Sequence, residues 1–430
     1  MPVPYLLVSD EKGNIFELKE YEVTGRAGYG VSRLDESDFI ELPHGSELFY
    51  LPGRNPVGFH RKKQCFEVVE NQLAVAAFVA PAYTQTWLAA YEKQDDACLL
   101  PLYAYSAVGW YKGKYYTTAL RVDKEKRQDP ACFDIHEVEK KVIEFRKKYP
   151  RNRLVEHLAE NCALNYHCRA AQNYFLGRWE CPLPTARVCN ASCLGCLSFQ
   201  PEENNINPAQ YRLGFKPTVE EIVEVATGHL ETVENPVVSF GQGCEGEPLL
   251  EGELIENAIA EIRKKTKKGV INLNTNAGKP EVLEKLCRAG LQSIRISLNS
   301  AIEDWYIRYF NPRNYGFQDV LDSFRVASDY HLWISVNYFV FPGLTDSCPE
   351  YEAFTTLLNR FQINMIQWRN FNIDPDWYLE KIQPPDDMKH YGIKNLLNMI
   401  HEKYPSIRYG YFNPYFEEGA ATGKLYQNKR

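Results

Sequence analysis

From about residue 181 the chain alternates between amphipathic helical stretches and short apolar runs, and this rhythm constrains the fold more than any other feature. Helices are expected over 219–227, 253–264, 281–288, 318–328 and 351–361. Each leads into a strand expected over 236–240, 270–274, 293–298, 333–338 and 363–368. A first strand before Cys189 makes six, and a last helix is expected over 386–401. Strands separated by helices run parallel, joined by right-handed crossovers. The expected class is therefore α/β, and spacing alone leaves a partial barrel and an open doubly wound sheet as alternatives.

The remainder of the chain reads differently. Residues 5–9 and 15–19 flank a polar turn, and 103–111 and 114–122 repeat that hairpin signal across Lys112 and Gly113. Aromatic strands of this kind are most simply core, so residues 1–130 are read as a β-rich N-terminal domain. Ile135, Val138, Val142, Phe145 and Tyr149 then form the stripe of an amphipathic helix. Its outer face carries Lys140, Lys141, Arg146, Lys147 and Lys148, read as a solvated face. A second helix is expected over 154–175, so 131–180 forms a helical connector. The parallel core would span 181–375, followed by a helix and tail over 376–430.

Composition narrows the function. The 430 residues carry a net charge of −7, with 44% hydrophobic and 24% charged residues, as in ordinary globular proteins. An acidic balance does not indicate nucleic-acid binding. The first residues lack the features of a secretory signal, and the longest apolar run, 73–80, is too short to span a bilayer. A cytoplasmic location is expected, and the twelve cysteines are read as thiols or metal ligands.

The sharpest chemical signal is Cys189-Asn-Ala-Ser-Cys193-Leu-Gly-Cys196. Three soft thiolates on one short loop select zinc, copper or iron–sulfur over hard cations. A structural zinc ion needs a fourth protein ligand, and no Cys or His follows at finger-like spacing. A cluster held by three cysteines keeps one iron open. Elsewhere, Cys162 and Cys168 would lie about 120° apart on a continuous helix. They are read, with Cys181, as buried apolar thiols. His157 and His167 are read as packed or surface residues.

The triplet resembles the signature loop of the radical SAM superfamily, and further matches follow in order. Gly246-Glu247-Pro248, in the longer element beginning at Gly241, is similar to the motif receiving the methionine amino group. Asn274-Thr275-Asn276-Ala277-Gly278 is similar to the segment closing the next strand. Arg295-Ile-Ser297-Leu-Asn299 resembles the fourth strand, 340–346 the segment after the fifth, and Gln367-Trp-Arg369-Asn370 the end of the sixth. The resemblance spans about residues 182–375. It implies a partial (β/α)6 TIM-like barrel with a [4Fe–4S] cluster on Cys189, Cys193 and Cys196. S-adenosylmethionine would meet Gly246, Glu247, Pro248, Thr275, Asn276, Ser297, Asn299, Asn337, Gln367 and Arg369. Reductive cleavage would yield a 5′-deoxyadenosyl radical that takes hydrogen from a substrate left unidentified, with a reductant such as ferredoxin or flavodoxin as partner. Two positions depart from the family: Gly195 where an aromatic residue is common, with Leu194 or Phe199 to compensate, and Asn299 where many members carry Asp. Cys244, in the loop leading to Glu247, is a candidate hydrogen-atom donor or radical relay.

Two other classes stay open on the residues alone. A zinc-holding structural or interaction module would be colourless. An iron–sulfur electron carrier or sensor would be brown yet fail to cleave S-adenosylmethionine.

Overall fold

The computed structural model describes residues 2–416. Its second half is a parallel sheet of seven strands in sequential order. These are β1 (Glu180–Pro182), β2 (Val237–Phe240), β3 (Val270–Thr275), β4 (Ser293–Leu298), β5 (Trp333–Val340), β6 (Met365–Asn370) and β7 (Arg408–Gly410). Sequential order with helical crossovers curls the sheet into a partial barrel, not a doubly wound sheet, whose strand order would reverse. The six expected strands are therefore joined by a seventh. Three residues of β7 pair with β6, too few to leave a readable apolar run in the sequence.

The pleat explains why each strand alternates. Ile294, Ile296 and Leu298 on β4, with Ile334 and Val336 on β5, lie on the outer face under the helices and are buried in the main core. Arg295 and Ser297 alternate with them on the inner face, in register with Ser335 and Asn337. The lower lumen is closed by an apolar cluster of Trp179, Val237, Val270, Trp333, Met365 and Phe416. Phe416 stacks on Trp333 with ring centroids 5.4 Å apart. The segment following β7 is thus a plug rather than a surface tail. Residues 417–430 lie outside the described residues.

The helical connector departs from the expected pattern. Helix α1 (Ile135–Lys148) forms as its stripe requires, burying Val138 and Val142. The expected helix over 154–175 is instead three pieces. Helix α2 (Arg153–His157) runs into a π-helical segment, Leu158–Asn165, and α3 begins only at Arg169 and ends at Phe175. His167 between them takes a left-handed φ of 49°. Apolar periodicity cannot distinguish a 3.6-residue repeat from one containing a wider turn over so short a stretch.

Between the strands run α4 (Val219–Thr232), α5 (Gly252–Lys265), α6 (Pro280–Ala289), α7 (Glu303–Phe310), α8 (Phe317–Asp329) and α9 (Cys348–Arg360). Helices α10 (Pro375–Ile382) and α11 (Ile393–Lys403) lie between β6 and β7. Helix α7 has no counterpart in the sequence reading. Its stripe is aromatic, with Trp305, Tyr306, Tyr309 and Phe310 buried. Helix α10 likewise falls outside the helices that the periodicity predicts.

Residues 5–117 build a twelve-stranded antiparallel sheet containing both expected hairpins. It is fastened to the barrel at polar points. Arg54 and Asp374 form an ion pair at 2.7 Å with both side chains fully buried. Arg54 also donates to the Pro52 and Cys98 carbonyls, at 2.7 and 2.6 Å. Asp374 accepts from the Leu100 N–H and caps α10 through the Asp376 and Trp377 N–H groups. Thr84 donates to the Trp368 carbonyl at 2.6 Å, and the Gln85 N–H to the Asn370 side chain at 2.7 Å. Gly343, at φ 93°, brings this loop so near Gly28 that a Cβ would lie 2.1 Å from the Gly28 nitrogen.

Removing one member of a fully buried ion pair strands the other charge, at about 3–5 kcal/mol. Arg54→Met is expected to lower the unfolding free energy by that order in urea titration. Adding Asp374→Leu should restore part of the loss, since no buried charge is then left alone; no restoration would argue that the pair carries no stranded-charge penalty.

Candidate functional site

The C-terminal ends of the parallel strands open into a cavity of about 320 Å³ whose lining runs from Cys189 to Tyr411. In barrels of this build, those ends carry the loops free to host chemistry. The loop after β2 is fixed first. Gly241, at φ 78°, passes so close to β3 that a Cβ would lie 1.8 Å from the Asn274 carbonyl oxygen. Glu245 is buried, and its Oε2 accepts from the Thr185 and Ala186 N–H groups at 2.7 and 2.8 Å. Its Oε1 accepts from the Gln242 N–H at 2.8 Å. One carboxylate thereby joins the ends of β1 and β2. Burial pushes its pKa up to about 7 against the pull of these donors.

Glu247 repeats the device one strand further. Its Oε1 accepts from the Leu249 N–H at 3.0 Å and from the Thr275 hydroxyl. Its Oε2 accepts from the Asn276 N–H at 2.9 Å. A carboxylate offers about four lone-pair sites, so capacity remains on the cavity side for one more donor. Burial pushes this group up to about 7 as well. Between the two acids, Gly246 and Glu247 bond residues 186–188 like a short ladder, through Gly246 N–H to Ala186 at 2.8 Å and Glu247 N–H to Val188 at 2.9 Å. A Cβ on Gly246 would lie 1.9 Å from the Val188 carbonyl oxygen.

That ladder delivers the chain directly into the cysteine loop, which α7 holds from the other side. The Ser192 N–H donates to Phe310 and the Leu194 N–H to Tyr309, both at 3.0 Å. Gln200 donates to the Leu194 and Cys196 carbonyls, at 2.9 and 3.0 Å. The Arg212 guanidinium lies 3.5 Å from the Cys196 sulfur. Cys189, Cys193 and Cys196 are all half-buried and all line the cavity. Burial pushes Cys189 up to about 11, with the neighbouring Glu247 charge adding to it. Thiolates so placed are stabilised by a bound cation. At Gly195 the space is taken by Tyr309, whose hydroxyl would lie 3.1 Å from a Cβ there. Phe199 instead points outward, 52% exposed.

Opposite the thiols the cavity is cationic and aromatic. Arg295 on β4 donates to the Gln367 side chain at 3.1 Å, while its Nε is buried with no partner among the described residues. Burial and the charge of Arg369 pull it down to about 9. Arg369 donates to the Tyr411 carbonyl at 2.7 Å and sits 4.0 Å over that ring. Asn337 donates to Ser297 at 3.3 Å and keeps a buried Oδ1 with no partner among the described residues. Phe339 and Phe371 complete the apolar lining.

The structure therefore brings Cys189, Cys193, Cys196, Gly246, Glu247, Pro248, Thr275, Asn276, Ser297, Asn337 and Arg369 to one cavity. Three other candidates stand elsewhere. Asn299 is buried and donates to the Trp305 carbonyl and the Tyr378 hydroxyl, at 3.1 and 3.2 Å. Gln367 is fully buried, and its amide donates to the Phe412 carbonyl at 3.2 Å. The Cys244 thiol is buried against His157 and Cys162, outside the lining. Arg295, Tyr309 and Tyr411 line the cavity without having been singled out for it. Tyr309 and Tyr411 depend on elements absent from the sequence reading; Arg295 was visible in the strand but carried no motif role.

Three soft donors on one loop fit an iron–sulfur cluster, and the unpartnered buried atoms of Arg295 and Asn337 fit a polar ligand beside it. Residues 183–353 match the family model described as the radical SAM superfamily. An uncharacterised protein of Methanocaldococcus jannaschii is 22% identical over 162 residues, 37% of this chain and 36% of the relative, so the match spans about a third of that protein. Among solved structures, a radical SAM methyltransferase from Sphaerobacter thermophilus is similar at 15% identity and a TM-score of 0.37, covering 54% of this chain and 66% of the other. Streptococcus suis SuiB, solved with the precursor peptide SuiA, is similar at 14% identity and a TM-score of 0.36, covering 61% of each. A [4Fe–4S] cluster and S-adenosylmethionine are the cofactors of that superfamily. Among the described residues, no helix is long and apolar enough to cross a membrane.

Glu245 sets a pH dependence. Its folded pKa of about 7 lies above the ordinary 4.5 of a glutamate, so the folded state holds the proton more tightly and is destabilised as the group ionises. Stability should fall as pH rises from about 4.5 through 7. Glu247 adds a contribution of the same sign, so Glu245→Gln should reduce that slope without abolishing it in pH-dependent thermal unfolding; an unchanged slope would remove Glu245 as a source.

Proposed function

We propose, from the premise that residues 183–353 are a radical SAM domain, that this chain is an enzyme cleaving S-adenosylmethionine reductively to start hydrogen abstraction from a substrate. The observation carrying the reading is convergence. Three loop thiols, a braced glutamate with spare acceptor capacity and two arginines meet in one strand-end cavity. In this reading Cys189, Cys193 and Cys196 hold a [4Fe–4S] cluster. When bound, the cluster supplies the electron that releases a 5′-deoxyadenosyl radical from the sulfonium.

The chain's own residues do the positioning. Glu247, held by Thr275, Asn276 and Leu249, receives the methionine ammonium. Ser297 and Arg369 donate to the methionine carboxylate, with Arg295 as a second cation. Phe339 and Phe371 supply apolar surface that excludes water from a reactive intermediate. The electron would come from a reductant such as ferredoxin or flavodoxin. The substrate would enter the same cavity.

The test is anaerobic reconstitution with iron and sulfide, then dithionite and S-adenosylmethionine. Formation of 5′-deoxyadenosine is expected. A protein with a full cluster that releases none would overturn the proposal. Replacing all three loop cysteines by Ala should abolish both the brown colour and the product. Arg369→Met should raise the KM for S-adenosylmethionine roughly ten- to a hundredfold, the scale of a lost charge-assisted hydrogen bond; a KM unchanged from wild type would move the carboxylate contact elsewhere.

A further inference from the structure

Away from the cavity, His157, Cys162 and Cys244 each place a ligand atom within 4.8 Å of the other two. Cys162 and Cys244 are almost completely buried, at 2% and 3% exposure. The His157 Nε2 is buried and, among the described residues, has no hydrogen-bond partner. A buried imidazole nitrogen left unpaired costs free energy, which the Cys162 thiol beside it can lower only through a weak sulfur hydrogen bond.

The backbone is shaped to make this convergence. On a regular α-helix His157 and Cys162, five positions apart, would point about 140° away from each other. The π-helical segment Leu158–Asn165 starts immediately after His157. Its i→i+5 pattern returns residue 162 to the side of residue 157. π-Turns are rare and recur at functional sites. The third donor arrives from the opposite direction, on the Gly241–Glu247 loop, where the Cys244 carbonyl accepts from the Leu213 N–H at 2.7 Å.

We propose that His157, Cys162 and Cys244 bind one zinc-class ion, separate from the cluster of the cysteine triplet. One imidazole and two thiolates are the donor chemistry of tetrahedral zinc. Cys168 supplies a further thiol near enough for its charge to act on both Cys162 and Cys244; its sulfur stands outside the three-donor group and would shift inward to take the fourth position. Each thiol gives up its proton on binding, so uptake releases protons to solvent and no electron is exchanged. The ion would tie the helical connector to the loop carrying Glu245 and Glu247. It therefore acts as a structural clamp on the floor of the cavity, and its occupancy is measurable independently of turnover.

Metal analysis of the full chain tests this. In the Cys189→Ala, Cys193→Ala, Cys196→Ala background, purified anaerobically, about one zinc per chain is expected. Adding Cys162→Ser or Cys244→Ser should lower that content at least roughly tenfold. After chelation, Co(II) added to the same background should give a thiolate-to-cobalt absorption that Cys244→Ser removes. If the background variant does not fold, zinc is counted on cluster-reconstituted wild type, where iron already fills the loop. A zinc-free protein that gives no cobalt spectrum would overturn the proposal. So would zinc content indifferent to Cys244→Ser, or a Cys162–Cys244 disulfide found by mass spectrometry in protein kept under reducing conditions.

Discussion

A buried carboxylate with no cation beside it survives only if backbone N–H groups fill its lone pairs, and Glu245 is such a group. Its three backbone donors come from residue 242 and from residues 185 and 186, so it joins the ends of the first two parallel strands. The rest of the site follows from that brace. It holds the turn in which Gly246 meets residue 188, which sets where the cysteine loop begins. Glu247, two residues on, repeats the arrangement to the third strand. The thiols, the glutamate and the amide groups around residue 275 thus share one rigid frame, as a site needs if its geometry is not to be rebuilt at each turnover.

The frame is closed on its other side by the N-terminal sheet. Its attachment is polar and specific, with Arg54 and Asp374 paired beyond the reach of water. The same Asp374 caps the helix that follows β6. A sheet fastened in this way cannot slide on the barrel, because any shift would expose an unpaired charge to an apolar interior. Residues 84 and 85 bond directly to the last turns of β6, next to Arg369 and Phe371 in the cavity wall. The sheet is therefore mechanically continuous with the site although the cavity lining starts at Cys189.

Much of this was legible in the residues. The strands β2 to β6 announced themselves as short apolar runs separated by amphipathic helices, the pattern of a parallel sheet. The cysteine triplet, Gly246, Glu247, Thr275 and Arg369 could be placed at strand ends because motif and strand coincide. Other parts carried no such mark. The aromatic stripe of α7 lies in the long stretch between the expected strand at 293–298 and the expected helix at 318–328, and Tyr309 reaches Gly195 only through the fold. β7 is three residues long, and Tyr411 beyond it lines the cavity only because β7 pairs with β6. Asn299, just past the expected strand at 293–298, and Gln367, on the one at 363–368, satisfy structural neighbours, since pleat and depth decide which polar group reaches the cavity.

The connector shows the division most clearly. Cys162 and Cys168 read as packed thiols on a continuous helix, and on such a helix that reading would stand. A π-turn changes the angle between residues 157 and 162, and a loop more than 75 residues later brings Cys244 to them. By itself the sequence determined the parallel α/β architecture, through hydrophobic period, and the three-thiol loop, through local spacing. Which buried thiols meet, and which carboxylates act as braces, was decided only by the tertiary structure. Such contacts depend on the angle of a turn and on packing between distant segments, and neither leaves a periodic trace in the chain.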